Sequence, residues 1–257
     1  MSLSRSLDMI NARVPDWKIE WYVSLDSTQL EAIRLLVDRP PHRTAIVATE
    51  QTGGLGRLGR TWHSAPGDGL YVSMILRLDL PAAQLPAFTL AMGLAVKEAI
   101  EKTTSLECDL RWPNDVLCNG RKVSGILCQY SDGAIIAGVG INVNHTEFPK
   151  DLAGTATSLH LEGAGTFSRE DLFVALLDAV DSYATRYAIG DRDTLLLEFV
   201  EQSSSTVGMR ATAEQQGETI HGYTEGLDEQ GFLMMRRHDG SRVTILAGGV
   251  RPDVTGD

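Results

Sequence analysis

Four glycines and two arginines fall within the twelve residues from Gln51 to Trp62, QTGGLGRLGRTW, directly after the apolar run Ala45-Ile46-Val47-Ala48. Glycine lets backbone N–H groups approach a ligand without a Cβ in the way, and an arginine fork grips carboxylate or phosphate oxygens with paired hydrogen bonds. The stretch suits an anionic, phosphate-bearing ligand, or it is a mobile surface connection, since loops collect glycine in any case. No Gly-Lys-Ser/Thr follows, so it is not a Walker loop. Gly54-x-Gly56-x-x-Gly59 has the spacing of the dinucleotide fingerprint, but no helix-like apolar stripe opens after Gly59. A nucleotide, if bound, must be held another way.

Other residues carry weaker chemistry on their own. Ser27 and Thr28 follow Asp26 at a helix N-terminus, where hydroxyls either cap the helix or receive a polar ligand group. Trp112-Pro113-Asn114-Asp115 ends a strand candidate in turn chemistry. Lys122 lies just past the hairpin signal Asn119-Gly120, a position that by itself reads as solvated surface. Gly138 and Gly140 share one face of the strand-like run AIIAGVGINV, which relieves packing or makes room for a flat ligand. Cys108, Cys118 and Cys128 form no C-x-x-C pair and read as reduced structural thiols. The six histidines are scattered without H-E-x-x-H, so no transition-metal site built by the protein is expected.

These residues need elements to position them. A chain of 257 residues allows one sizeable core and a small satellite. Its net charge of −11 argues against a broad nucleic-acid surface. No apolar run approaches the roughly 18 residues of a membrane span, and the first residues show no signal peptide, so a cytoplasmic location without membrane attachment is expected. Periodicity and turn signals predict a strand over Ile19 to Val23, a helix beginning at the Asp26-Ser27-Thr28 cap, and a strand over Leu70 to Leu78. A long helix is predicted from Pro81 to Lys102, with Pro86 in its first turns or splitting it. Then come a strand over Leu106 to Trp112, a hairpin over Val116 to Tyr130, a strand over Ala134 to Val143 and a loop over residues 144–167. Two helices follow, from the Ser168 cap to about Ile189 and from Asp193 to about Gln202. Short β-prone runs separated by Gly turns fill Val207 to Arg251, a small antiparallel barrel or sheet. Residues 1–16 give no element signal.

Five segments in order, Asp26-Ser27-Thr28, the loop from Gln51 to Trp62, Trp112-Pro113-Asn114-Asp115, Arg121-Lys122-Val123-Ser124-Gly125-Ile126-Leu127 and Gly138-Val139-Gly140-Ile141-Asn142-Val143-Asn144, resemble the biotin protein ligases. The resemblance implies an α/β catalytic domain of the biotin/lipoate ligase type, with an α+β mixed sheet over residues 1–203, and a small C-terminal SH3-like β-barrel over residues 204–257. It implies activation of biotin with MgATP to biotinyl-5'-adenylate and pyrophosphate, then transfer to a lysine of a biotin carboxyl carrier protein or domain. ATP and Mg²⁺ are the implied cofactors, with no metal ligand among the protein's own residues. Relatives that also repress transcription carry an N-terminal helix-turn-helix, and the first motif here starts too early for one, so a monofunctional ligase that does not bind DNA is expected. A homodimer is left open.

Carried over position by position, Ser27, Thr28 and Gln51 match groups that hydrogen-bond the biotin ureido ring. Gly54, Gly56, Lys122, Gly125, Leu127, Gly138 and Gly140 match the rest of the biotin site. Arg57, Arg60, Trp62, Asn114, Lys122 and Asn142 match the nucleotide site, with Trp62 near the adenine. Arg57, Lys122 and Asp115 are the catalytic candidates, Asp115 as the group that orients and deprotonates the acceptor lysine. Leu55 departs from the family pattern, which has arginine there. Two other readings are a lipoate or octanoate ligase, whose Arg/Gly-Gly-Gly loop and His-Asp pair are not seen here, and a noncatalytic sensor of biotin or its adenylate.

Overall fold

The computed structural model describes residues 3–215 and 217–253. Strand β1 (Lys18–Leu25), helix α2 (Thr28–Leu35) and strand β2 (Thr44–Gln51) form a crossover unit in which β1 and β2 pair in parallel. After them come β3 (Gly69–Leu76), helix α3 (Leu85–Thr104), β4 (Asp109–Arg111), β5 (Asp115–Cys118), β6 (Arg121–Ser131) and β7 (Ala134–Asn142). All seven strands join one sheet in the order β1-β2-β3-β7-β6-β5-β4. Every pairing beyond β1–β2 is antiparallel, so the sheet is mixed, as expected.

Alternation along the strands sorts side chains to two faces. Ala45, Val47, Val72 and Met74 join the main core with α3, α5 (Arg169–Ala188) and α6 (Arg192–Glu201). Ile46, Ile75 and Ile136 pack instead with Ala32 and Leu36 around α2. Because β3 lies inside the sheet and is covered on both faces, it is buried along its whole length. That is why its sequence is a continuous apolar run rather than an alternating one. Pro86 sits in the first turn of α3, where a missing N–H costs nothing, and the helix is not split. Asn119 and Gly120 take φ 50° and 75° and close the β5–β6 hairpin.

Three expectations are corrected. The first residues, which gave no element signal, form α1 (Leu3–Arg13), and Ile10, Val14 and Trp17 anchor that segment in the core. The expected strand over Leu106 to Trp112 shrinks to β4, because the Cys108 N–H donates to the Glu101 carboxylate rather than to a ladder. The segment 144–167 is not simply a loop. Ser158 caps the short helix α4 (Leu159–Gly163) through the Leu161 N–H, and the strip before it pairs with β6. Across the β4–β5 pair, the Cys108 and Cys118 sulfurs lie 3.2 Å apart as free thiols.

The C-terminal strands β8 (Val207–Gln215), β9 (Glu218–Leu227), β10 (Leu233–Arg237), β11 (Arg242–Ile245) and β12 (Val250–Pro252) form a second, antiparallel sheet in the order β11-β10-β9-β8-β12. Among the described residues its outer strands β11 and β12 do not pair with each other, so the sheet is open where a closed barrel was expected. Ala211, Ala213, Leu233 and Ile245 are buried in continuity with the main core. The junction is fixed at one point by Trp112, whose indole N–H donates to the Gly231 carbonyl at 3.0 Å. Gly231 itself has φ 82°, and a Cβ there would lie 3.0 Å from the Ala87 Cα. No helix among the described residues is long and apolar enough to cross a membrane.

Candidate active site

A cavity of about 450 Å³ opens between the N-terminus of α2, the Gly/Arg loop and strands β6 and β7. Its closed end is a chain of polar groups. Ser27, extended at φ −159°, caps α2 by accepting from the Gln29 N–H at 3.2 Å. Thr28 donates its N–H to Gln51 Oε1 at 2.8 Å, and its hydroxyl lies 2.9 Å from that of Ser73. Ser73 donates to Gln29 Oε1 at 3.0 Å, and Gln51 Nε2 donates to the Ser64 hydroxyl at 2.9 Å. Donors and acceptors alternate along this wall, which suits a neutral ligand head carrying both N–H and C=O groups.

The opposite wall is flat because it is glycine. A Cβ on Gly138 would meet Gln29 Oε1 at 2.5 Å, and one on Gly140 would meet the Trp62 indole at 2.5 Å. Gly125 is as tight, 2.9 Å from Trp62 and 3.0 Å from Lys122 Nζ. The indole therefore lies across two strands at once. Its Nε1 is buried and has no hydrogen-bond partner among the described residues.

Charge gathers at one end. Lys122 Nζ is 2.5 Å from Asp115 Oδ1 and 5.2 Å from the Trp62 ring centroid, while Arg111 Nη2 donates to Asp115 Oδ2 at 2.7 Å. Burial pushes the Asp115 carboxyl up, but Lys122 and Arg111 outweigh it and hold it below the usual carboxylate range. Burial lowers the Arg57 guanidinium against the opposing pull of Asp115, and it stays charged at neutral pH. Arg57 donates to Asn114 Oδ1 at 3.2 Å and to the carbonyl of Gly248, between β11 and β12, at 3.4 Å. Asn114 is in turn tied to β6, giving Nδ2–H to the Ile126 carbonyl at 2.8 Å and accepting the Ile126 N–H at 2.9 Å. The Lys122 backbone is clamped from the other side, donating to the Thr155 carbonyl and accepting from the Thr157 N–H.

Twelve of the residues singled out by sequence line this one cavity: Ser27, Thr28, Gln51, Gly56, Arg57 and Trp62 from the first half of the chain, and Asn114, Lys122, Gly125, Leu127, Gly138 and Gly140 from the second. Trp62 stands beside the glycines assigned to biotin rather than apart from them. Asp115 lies behind Lys122 as its counter-ion. Gly54 is buried beneath the loop, where a Cβ would come within 2.8 Å of both Ser64 Oγ and the Trp62 carbonyl. Asn142 is buried with its amide on the Thr157 carbonyl, outside the cavity lining. Arg60 is exposed and off the cavity, and contributes through its carbonyl, which accepts from the Gly56 N–H at 2.7 Å. Leu55 lines the cavity at 39% exposure. Gln29 and Ser73 were missed. Ser73 carried a readable signal, a small polar residue between the apolar Val72 and Met74 of a strand, whereas Gln29 reads as an ordinary first-turn helix residue.

Beside the site, His145 is 1% exposed, stacks on Phe148 at 5.2 Å, and has Nδ1 without a partner among the described residues. Burial lowers its pKa to about 4. The unfolded chain, near 6.5, then binds more protons between those values, so stability is full above about pH 6.5 and falls as pH drops toward 4, by up to about 1.4 kcal/mol per pH unit. Urea titrations from pH 4 to 7 are expected to show a flatter profile for His145→Leu than for the parent chain. Parallel profiles would remove this assignment.

A sequence model of the Biotin/lipoate A/B protein ligase family matches residues 22–145. The chain is 33% identical over 223 residues to the bifunctional ligase/repressor BirA of Bacillus subtilis, covering 84% of this chain and 68% of that protein. It is 30% identical to the biotin--[acetyl-CoA-carboxylase] ligase of Mycobacterium tuberculosis, covering 79% and 76%. Among solved structures, the biotin protein ligase of Aquifex aeolicus in complex with biotin and ATP superposes with a TM-score of 0.80 at 30% identity, over 91% of this chain and 97% of that one. With the glycine-walled cavity, the paired Lys122 and the mixed sheet all in place, the chain belongs to the biotin protein ligase family.

Proposed function

We propose that the chain activates biotin with ATP to biotinyl-5'-adenylate and pyrophosphate, and then transfers the biotinyl group to a lysine of a carboxyl carrier domain. The observation that carries this reading is the meeting of Lys122 and Arg57 at one end of a glycine-walled cavity whose other end is the Thr28, Gln51 and Ser73 network. The ureido head, with N–H and C=O groups, is recognised by that network. Its acyl tail runs past Gly125 and Gly140 under Trp62, which brings the carboxylate to Lys122 and Arg57. There an anion must attack the α-phosphorus of a polyanion. Fixed positive charge where negative charge accumulates is the main catalytic term available.

Mg²⁺ enters with ATP as the substrate MgATP. Asp115, the acid paired to Lys122, already has both oxygens engaged by Lys122 and Arg111, and no group of three metal-binding side chains lies among the described residues. A carboxylate held below its usual range is a weak base, so Asp115 serves to position Lys122. Asp115→Asn is expected to slow adenylation as well as transfer, by up to about 10²-fold, because it releases Lys122. Loss of transfer alone in single-turnover assays would make Asp115 the base instead. Residues 1–203 are taken as the catalytic domain and 204–257 as a terminal domain of the SH3 type. Biotin-dependent exchange of pyrophosphate into ATP tests the reading: exchange with biotin is expected, and exchange with lipoate instead would overturn it.

A further inference from the structure

A second cavity, of about 560 Å³, lies at the junction of the two sheets and shares Arg57 and Leu127 with the first. Strand β5 stops covering β6 at Gly125, leaving the edge of β6 open from Leu127 onward. Arg57 and Leu127, the first residue of that open edge, therefore line both cavities. Elsewhere the second cavity is lined by the start of α3, by Trp112-Pro113, and by Phe232 and Leu246, which flank β10 and β11 of the second sheet. Leu246 is 54% exposed and stands at its outer side. Among the described residues, Arg57 and the Cys128 thiol are the titratable groups along it, and no carboxylate lines it.

We propose that this cavity is the passage by which the acceptor lysine of the carrier domain reaches the activated acyl group, an inference that rests on the ligase reading above. The class of occupant follows from the lining. A largely apolar lining suits the four-carbon stem of lysine, and the shared Arg57 stands next to the place where the carboxylate is activated. With Arg57 at that end and no carboxylate among the described lining residues to pair with an ammonium, the passage favours the neutral amine, both by desolvation and by like charge. The ammonium leaves one proton in bulk water on the way in. Attack forms the amide C–N bond, the acyl C–O bond breaks, AMP departs with the electron pair, and the second amine proton passes to solvent. The passage also gives the C-terminal sheet a part in the reaction, since Phe232 and Leu246 form one of its walls.

Leu246→Trp fills the outer side from an exposed position. Single-turnover assays would follow pyrophosphate release in adenylation, transfer to a purified carrier domain, and cleavage of the adenylate by hydroxylamine, a nucleophile small enough not to need the passage. Carrier labelling is expected to fall on the order of 10²-fold, the scale of rate lost when reacting groups cannot be brought into register, with adenylation and hydroxylamine cleavage retained. Undiminished carrier labelling, or an equal loss in all three assays, would overturn the passage. Failure of the parent chain to form adenylate would instead overturn the ligase reading.

Discussion

Lys122→Ala is expected to lower the rate of biotin adenylation by about 10²–10³-fold, the usual cost of removing one preorganised donor from a site of developing negative charge. The geometry makes this the most damaging single change at the site. Lys122 is held by backbone bonds to Thr155 and Thr157, by the Asp115 carboxylate at 2.5 Å and by the Trp62 ring, so no neighbour can move into its place. The chain should still fold, because Asp115 keeps Arg111 as a partner. In the variant the Asp115 carboxyl loses one of the two cations that hold it down, so its pKa rises. Lys122→Arg is expected to recover little, since the wider guanidinium must fit where Gly125 already leaves only 3.0 Å. Circular dichroism together with pyrophosphate release under single-turnover conditions checks both points. Near-normal turnover in Lys122→Ala would defeat the role given to this residue.

Gly140→Val is expected to weaken biotin binding by about 10–10²-fold, the affinity equivalent of roughly 1–3 kcal/mol of overpacking. Valine suits a strand, so backbone propensity does not oppose the change. The obstacle is the Trp62 indole, 2.5 Å from the Cβ that would be added. The ring must move toward the space assigned to the acyl tail, or the tail must give way. Calorimetric titration with biotin gives Kd directly, and the second substitution Trp62→Ala should relieve part of the loss. Unchanged affinity in Gly140→Val would place biotin elsewhere.

Much of this site is legible in the residues because its requirements are local. Gly138 and Gly140 sit two apart, and the pleat alone puts them on one face. Asn119-Gly120 fixes the hairpin that brings Lys122 opposite Leu117, two residues beyond Asp115. What could not be read depends on contacts between distant segments. Arg57 and Arg60 are equivalent by type and spacing, yet only Arg57 turns inward, held by Asn114 and by Gly248 more than 100 residues away. Gln29 looks like a solvated helix residue until the sheet places Gly138, Ser73 and Gln129 around it. The helix over Leu3–Arg13 was silent for a similar reason. Its stability comes from Ile10 and Val14 docking on the core rather than from propensity or a capping signal.

Whether the C-terminal strands close on themselves could not be read from the residues for a different reason. Short strands at close spacing are common to open sheets and barrels, and only the pairing of the outer strands distinguishes them. Here β8 carries β12 on one side and β9 on the other, and the sheet ends at β11. The open edge of β6 was equally hidden. It arises because β5 is only four residues long while β6 has eleven.

The most direct test of the ligase assignment is incubation of the purified chain with biotin, MgATP and a biotin carboxyl carrier domain, followed by intact-mass measurement of the carrier. The expected result is one biotinyl group on one lysine, dependent on ATP, with no labelling when lipoate replaces biotin. Labelling by lipoate alone, or an unmodified carrier, would contradict it.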